Sequence, residues 1–440
     1  MKRNGVKKAV GMAYERLTAR YDADYFYEAP GAEELERQRN EKFESMPLVS
    51  IIVPAYETKE AFLSALIDSV TAQSYQNWEL ILADASESGQ VKACVEKKQA
   101  VLNEKQAEKI KYHTLLNNEG ISGNSNQALS YACGDYIGLL DHDDLLAPDA
   151  LYEMVKAINS LSGQEGTEAK LLYSDEDKCD ETGQHYYEPN IKSNFNFDFL
   201  LSNNYICHFL VLKAEVIKKL GFRPEYDGAQ DYDLILRAVG RLQENEIAHV
   251  GRVLYHWRCH ELSTAANPAS KLYAYEAGKR ALQDFLRTKG IKGQAADTEH
   301  VGFYRIAYEP DIFAAREDVG MLGGSVIDRD NKITSGILLK NGLCPFAGLY
   351  SFFSGPTNVA AVCRDAYALD ARTVLLRKED IPLFEEIMKV PYVKDVGMRD
   401  RQYCNKLDEN IWRQRSMALC DVFREKGQRL VWDPEIQVRR

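Results

Sequence analysis

The first 46 residues read as polar, helical and linker-like, and end in a charge-rich stretch from Glu33 to Glu44. The texture then changes. Leu48-Val49-Ser50-Ile51-Ile52-Val53 is a short β-branched run bounded by Pro47 and Pro54, the pattern of a strand buried on both faces. Amphipathic spacing predicts a helix at about 59–72, and Trp78 to Ala83 reads as a second buried strand. A charged helix over about 90–108, a strand from Ile110 to Leu115, a helix at about 122–133 and a strand from Asp135 to Leu140 follow. Pro148 stands where the first turn of another helix belongs.

Strands alternating with helices over this length predict βαβ units, a mostly parallel sheet and helices on both of its faces. Such sheets bind ligands beyond the carboxyl ends of their strands. The polar residues at those ends are Tyr56, Asp84, Asn118 and Asp141. Further on, Leu171-Leu172-Tyr173 predicts a short strand ending in Ser174-Asp175-Glu176-Asp177. Phe195 to Leu201 reads as helix, Cys207 to Leu212 as strand, Gln230 to Val239 as helix, about 246–255 as strand and about 269–289 as helix. From Val301 onward the pattern is mixed.

Asp141-His142-Asp143-Asp144 follows a predicted buried strand. Two carboxylates spaced by one residue at a strand end can share one hard cation that also binds phosphate oxygens, as Mg²⁺ and Mn²⁺ do. An acidic turn serving the next helix's N-terminus is the competing account. His256 and His260 are four apart, but without an H-E-x-x-H pattern they do not predict zinc.

The formal net charge of −11 predicts no nucleic-acid partner. Locally, residues 1–20 hold Lys2, Arg3, Lys7, Lys8, Arg16 and Arg20 against Glu15. That stretch reads either as a basic helix touching an anionic membrane surface or as a solvated helix packed on the domain behind it, and the second reading is preferred. No apolar run reaches the ~20 residues of a membrane span, and no apolar segment follows the N-terminal charges as a secretory signal requires. Nine cysteines without a C-x-x-C pair predict reduced thiols and a cytoplasmic protein, peripheral at the inner face of the membrane if the basic N-terminus docks there.

Six segments in order resemble glycosyltransferase family 2 with its GT-A fold, in the branch that builds bacterial cell-surface polysaccharides. They are Val53-Pro54-Ala55-Tyr56, Leu82-Ala83-Asp84-Ala85-Ser86, Asn118-Glu119-Gly120-Ile121-Ser122, the Asp-x-Asp at Asp141 and Asp143, Gly228-Ala229-Gln230-Asp231-Tyr232-Asp233-Leu234, and Tyr255-His256-Trp257-Arg258. The resemblance implies that Pro54, Tyr56, Asp84, Asn118, Gly120 and Asp141 bind the nucleotide of a UDP- or dTDP-linked sugar. It implies that Asp141 and Asp143, with His256, hold Mn²⁺ or Mg²⁺. It also implies that Asp175, Gln230 and Trp257 meet donor or acceptor sugar, and that Asp231 is the base acting on the acceptor hydroxyl. Ala83 stands where the family often has an acidic residue, and Gln230 where it commonly has Glu.

The implied architecture is a helical N-terminal extension (1–46), a GT-A domain (47–295) and a reduced, non-catalytic second glycosyltransferase-like domain (296–440). That last domain carries Val319 to Gly324, Ile327 to Asp330 and Val431-Trp432-Asp433-Pro434 as echoes of a tandem module, and it could position acceptor or form a homo-oligomer. The implied activity is inverting sugar transfer to a hydroxyl of a glycan or lipid-linked acceptor. The alternative is a catalytically silent nucleotide-sugar-binding scaffold of a polysaccharide assembly complex. A processive synthase would bring transmembrane helices and Gln-x-x-Arg-Trp, which this sequence lacks.

Overall fold

A computed structural model of the 440-residue chain describes residues 5–19, 21, 24–162, 167–260, 272–399, 403 and 408–439. It divides into two compact units.

The first unit comprises residues 22–195 and 204–285. Its nine-stranded sheet contains β1 (Val49–Ala55), β2 (Trp78–Asp84), β3 (Ile110–Thr114), β4 (Tyr136–Leu139), β5 (Leu145–Leu146), β6 (Leu171–Cys179), β7 (Tyr186–Asn190), β8 (Leu210–Lys213) and β9 (Ile247–Arg258). The strand order is β3-β2-β1-β4-β8-β6-β9-β5, with β7 beside β6. β1, β2, β3 and β4 are mutually parallel, and their registers include Ile52↔Ile81 and Ile52↔Leu139. β8 enters antiparallel between β4 and β6. Ile51, Val53, Leu80 and Leu82 on one face and Ile52 and Ile81 on the other are fully or almost fully buried, so both faces of the sheet are covered. This is the expected α/β architecture with helices packed on the sheet, four of whose eight strand pairings are parallel and four antiparallel.

Local chemistry moved several predicted boundaries. The helix expected over about 90–108 stops at Val101, because the Asn103 side chain accepts the Gln106 N–H and starts a separate turn at Glu104. The strand expected at Leu171–Tyr173 continues to Cys179, so Asp175, Glu176 and Asp177 lie inside a sheet and not on a turn. Each of those carboxylates has a partner. His249 bonds Asp175 at 2.8 Å, His208 bonds Glu176 at 3.0 Å and His256 bonds Asp177 at 2.5 Å. The helix expected from about 269 is described as Leu272–Thr288, its first residues lying outside the described ones.

The second unit comprises residues 1–21, 196–203 and 286–440. Val319–Ile327 and Arg429–Arg439 run parallel at the centre of its five-stranded sheet, packed by the helices Ile381–Met388 and Glu409–Glu425. Trp412, Trp432, Phe384 and Phe423 fill its core. Arg316 is buried and paired with Asp198 at 2.5 Å and Asp318 at 2.6 Å. The N-terminal helix Gly5–Thr18 belongs to this unit, where Glu15 accepts the backbone N–H groups of Ser354 (2.8 Å) and Gly355 (2.9 Å). The side chains of Lys2, Arg3, Lys7 and Lys8, on which the membrane-contact expectation rests, lie outside the described ones. Among the described residues no helix is long and apolar enough to cross a membrane.

Candidate functional site

Because β1 and β4 are neighbours running the same way, Pro54 near the end of one and Asp141 just beyond the other reach the same edge of the sheet. A small cavity of about 60 Å³ opens there. Pro54, Asp141, Gln230 and Asp231 line it together with Cys207 and His208. Four residues expected to meet the donor or acceptor are thus gathered by the fold.

The Asp141–Asp144 turn is held from behind. Asp144 is almost fully buried and accepts the Tyr255 hydroxyl (2.5 Å) and the Arg258 backbone N–H (2.7 Å). Burial, then the neighbouring Asp143 and Asp141, push its carboxyl well above the ordinary aspartate value. The Arg258 guanidinium, also buried, donates to the carbonyls of Asp143 (2.6 Å) and Glu181 (2.7 Å). These contacts fix the backbone and leave the Asp141 and Asp143 side chains free of that duty. The Asp141 carboxylate is 51% exposed, yet it stands in a concave, protein-walled setting. That desolvation, with Asp143 adding to it against the opposing pull of His208, raises its pKa.

The imidazole beside the Asp-x-Asp pair is not His256. His256 is 2% exposed, bonds Asp177, and is packed between Tyr27 and Tyr186 at ring distances of 4.4 Å each. Instead His260 Nε2 lies 2.8 Å from Asp143 Oδ2. The two histidines differ because Arg258 ends β9, so His260 lies past the strand and can turn toward Asp143 while His256 stays fixed in register with Asp177.

Asp175 does not reach the cavity. It is 3% exposed and engages His249 and the Lys192 backbone N–H (2.8 Å). Its neighbour Glu176 projects to the other side of β6 and meets His208. Trp257, half-buried, packs its ring 5.7 Å from that of His208. Asp84 is buried, accepting from the Tyr112 hydroxyl at 2.6 Å and the Ser86 N–H at 2.9 Å. Tyr56, just past β1, is 48% exposed.

Asn118 bonds the Gly120 N–H (3.1 Å) and Asn124 (3.0 Å), shaping the start of the helix Gly120–Tyr131. Gly120 has φ +75°, and a Cβ there would stand 2.5 Å from Asp227 Oδ2, whose other oxygen accepts the Ser122 N–H at 3.2 Å. Gly120→Ala is therefore expected to destabilise this unit by at least the ~1–2 kcal/mol of a left-handed L-residue, read as a lowered urea midpoint.

Asp231 stands in the first turn of the helix Gln230–Val239 without capping it; its Oδ2 accepts from Asn204 at 2.9 Å. Gln230 accepts the Gly228 N–H at 2.9 Å. Asp233, two residues on, is buried and ion-paired with Arg223 and Arg237, so its carboxylate is committed to packing.

Sequence reasoning missed His208. It precedes β8, and because β8 is antiparallel to β4 the start of β8 meets the end of β4. Its Nε2 lies 3.9 Å from Asp141 Oδ2, its Nδ1 is 3.0 Å from Glu176, and its ring stacks on Tyr255 at 4.7 Å. Burial works against the imidazolium, but the Glu176 carboxylate, then Asp141 and Asp144, outweigh it and raise His208 to about 9. A histidine near the start of the strand expected over Cys207 to Leu212 was the available signal; the direction of that strand gave it meaning.

The family model for glycosyl transferase family 2 matches residues 50–221. Uncharacterized protein y4gI of Sinorhizobium fredii is 41% identical over 251 residues, 57% of this chain and 26% of that protein. O-antigen biosynthesis protein RfbC of Myxococcus xanthus is 32% identical over 265 residues, 60% of this chain and 20% of that protein. The chain thus spans about a quarter or less of the length of these relatives. Among solved structures, residues 1–349 of S. aureus TarS in complex with UDP align at 19% identity and a TM-score of 0.39, over 54% of this chain and 65% of that one. The matched residues 50–221 contain the ends of β1 to β4 and the Asp141–Asp144 turn.

Proposed function

We propose that this chain transfers a sugar from a nucleoside diphosphate donor to a hydroxyl of a glycan or lipid-linked acceptor, with inversion at the anomeric carbon, in the building of a bacterial surface polysaccharide. The observation that carries the reading is the meeting of Asp141 and Asp231 in one cavity beyond the ends of β1 and β4. RfbC, named for O-antigen biosynthesis, supports the choice of product class.

Asp141 and Asp143 fit a divalent cation shared with the donor's diphosphate. Their backbone is anchored through Asp144 and Arg258, and a Mg²⁺- or Mn²⁺-type ion bound with substrate phosphates needs only one or two carboxylates. Asp141 and Asp143 would hold such an ion together with oxygens of the donor's diphosphate. His260, beside Asp143, is the imidazole we assign to that ion in place of His256. When bound, the cation neutralises charge growing on the departing diphosphate. Asp231 receives the proton of the acceptor hydroxyl as its oxygen bonds to the anomeric carbon and the carbon–phosphate-oxygen bond breaks. Gln230 and Trp257 orient the sugars, and Tyr56 lies against the nucleotide base.

Calorimetry with UDP and Mn²⁺ tests the metal assignment. Asp143→Ala is expected to weaken Mn²⁺-dependent UDP binding at least about tenfold, a loss of ~1.4 kcal/mol or more. Equal binding by the two proteins would undo the assignment.

A further inference from the structure

The second unit holds a cavity of about 850 Å³, within the range of roughly 300–1,000 Å³ typical of small-molecule sites. Its floor is apolar. Leu322 and Val431, paired across the central strands, lie there with Ile306 and Phe313. Leu322, Phe313 and Tyr308 pack on the small cluster of Ile312, Val319 and Val431 but remain only half-buried, so the cluster is open on the cavity side. Contiguous apolar surface left open in this way marks a binding site more often than idle surface.

The charges around it are uneven in what they can offer a ligand. Asp433 is held by Arg305 at 3.0 and 2.6 Å, Asp198 by Arg316 at 2.5 Å, and Asp311 accepts the Ala314 N–H at 3.0 Å. The remaining acidic residue, Glu379, lines the cavity together with three cations, Arg377, Lys378 and Lys394. Arg377 is positioned by the carbonyls of Arg316 (3.0 Å) and Val319 (3.3 Å) and stands 5.3 Å over the Phe313 ring. Lys378 and Lys394 are exposed, and no ion pair is recorded for either among the described residues.

We propose that this cavity binds a single-chain amphiphile with a phosphate head: the chain lies on Leu322, Phe313 and Val431, and the head meets Arg377, Lys378 and Lys394. Three cations against one free carboxylate suit a phosphate monoester, and an apolar floor suits a hydrocarbon chain. The inference does not depend on the transfer chemistry of the other unit.

The test is titration of the full chain with dodecyl phosphate below its micelle concentration, beside inorganic phosphate (head alone) and dodecyl maltoside (chain with a neutral head). Saturable one-to-one binding of dodecyl phosphate, at least about tenfold tighter than either control, is expected. Lys378→Glu with Lys394→Glu should weaken it at least as much, and Ala307→Trp, at an exposed position on the wall, should block it, both with unchanged melting temperature. Absent binding, equal binding of dodecyl maltoside or inorganic phosphate, or wild-type binding by both variants would overturn the proposal.

Discussion

Asp231→Asn is expected to lower the turnover of sugar transfer by about 10²–10⁴-fold, the usual contribution of a general base, while UDP–Mn²⁺ binding stays at the wild-type level. The substitution keeps the shape of the side chain and can keep the 2.9 Å contact to Asn204 by turning its amide. It does not touch the helix cap, because Asp231 does not cap the helix Gln230–Val239. What it removes is the capacity to take a proton. Steady-state kinetics with calorimetry separates the two effects: a fall in kcat with unaltered UDP affinity supports the base, and near-wild-type kcat rejects it. The neighbouring Asp233→Asn serves as contrast, since Asp233 is buried between Arg223 and Arg237 and should report on stability.

Lys192→Met carries the largest expected effect on stability, roughly 3–5 kcal/mol for breaking a buried ion pair from one side. Lys192 is 7% exposed, with its ammonium 3.5 Å from Glu176; it also donates to the carbonyl of Ile206 at 3.2 Å and to that of His208. Burial disfavours the Glu176 carboxylate, but Lys192, followed by His208 and Asn190, overcomes this and holds it at about 2. A carboxylate depressed on folding stabilises the protein fully above its unfolded pKa, here 4.5, and that contribution is lost as pH falls toward about 2. The difference between Lys192→Met and wild type should therefore be largest near neutral pH and shrink below about pH 4. Denaturant melts at pH 7 and pH 3.5 measure it. Lys192→Met with Glu176→Gln should regain part of the loss at pH 7, because no uncompensated charge then remains buried; a difference that does not vary with pH would reject the pairing.

The parallel half of the sheet was legible in the sequence because each of its strands is a continuous apolar run between turn residues. Leu80, Ile81 and Leu82 show this, all at 0% exposure. From those runs the strand ends, and so Pro54 and Asp141, followed directly. The antiparallel half was not legible in the same way. β6 carries Asp175, Glu176 and Asp177 inside a strand because three histidines on other segments satisfy them, and a single sequence does not display such pairings. The same blindness placed His256 rather than His260 beside Asp143, since strand length beyond Tyr255 decides which of them is free to turn. His208 escaped because periodicity locates a strand without giving its direction. In the second unit the sheet is built from Val319–Ile327 and Arg429–Arg439, about a hundred residues apart, and local patterning carries no trace of that closure.

Asp144 has a consequence for how the molecule comes into being. Its two oxygens are claimed by Tyr255 and Arg258, more than a hundred positions downstream. A growing polypeptide that has emerged only through Val239 already owns β1 to β4 but lacks the clamp that orients Asp141 and Asp143. The Asp141–Asp144 turn is thus a late acquisition of synthesis. A fragment trimmed to residues 50–221 should collapse around its strands yet leave that turn unset.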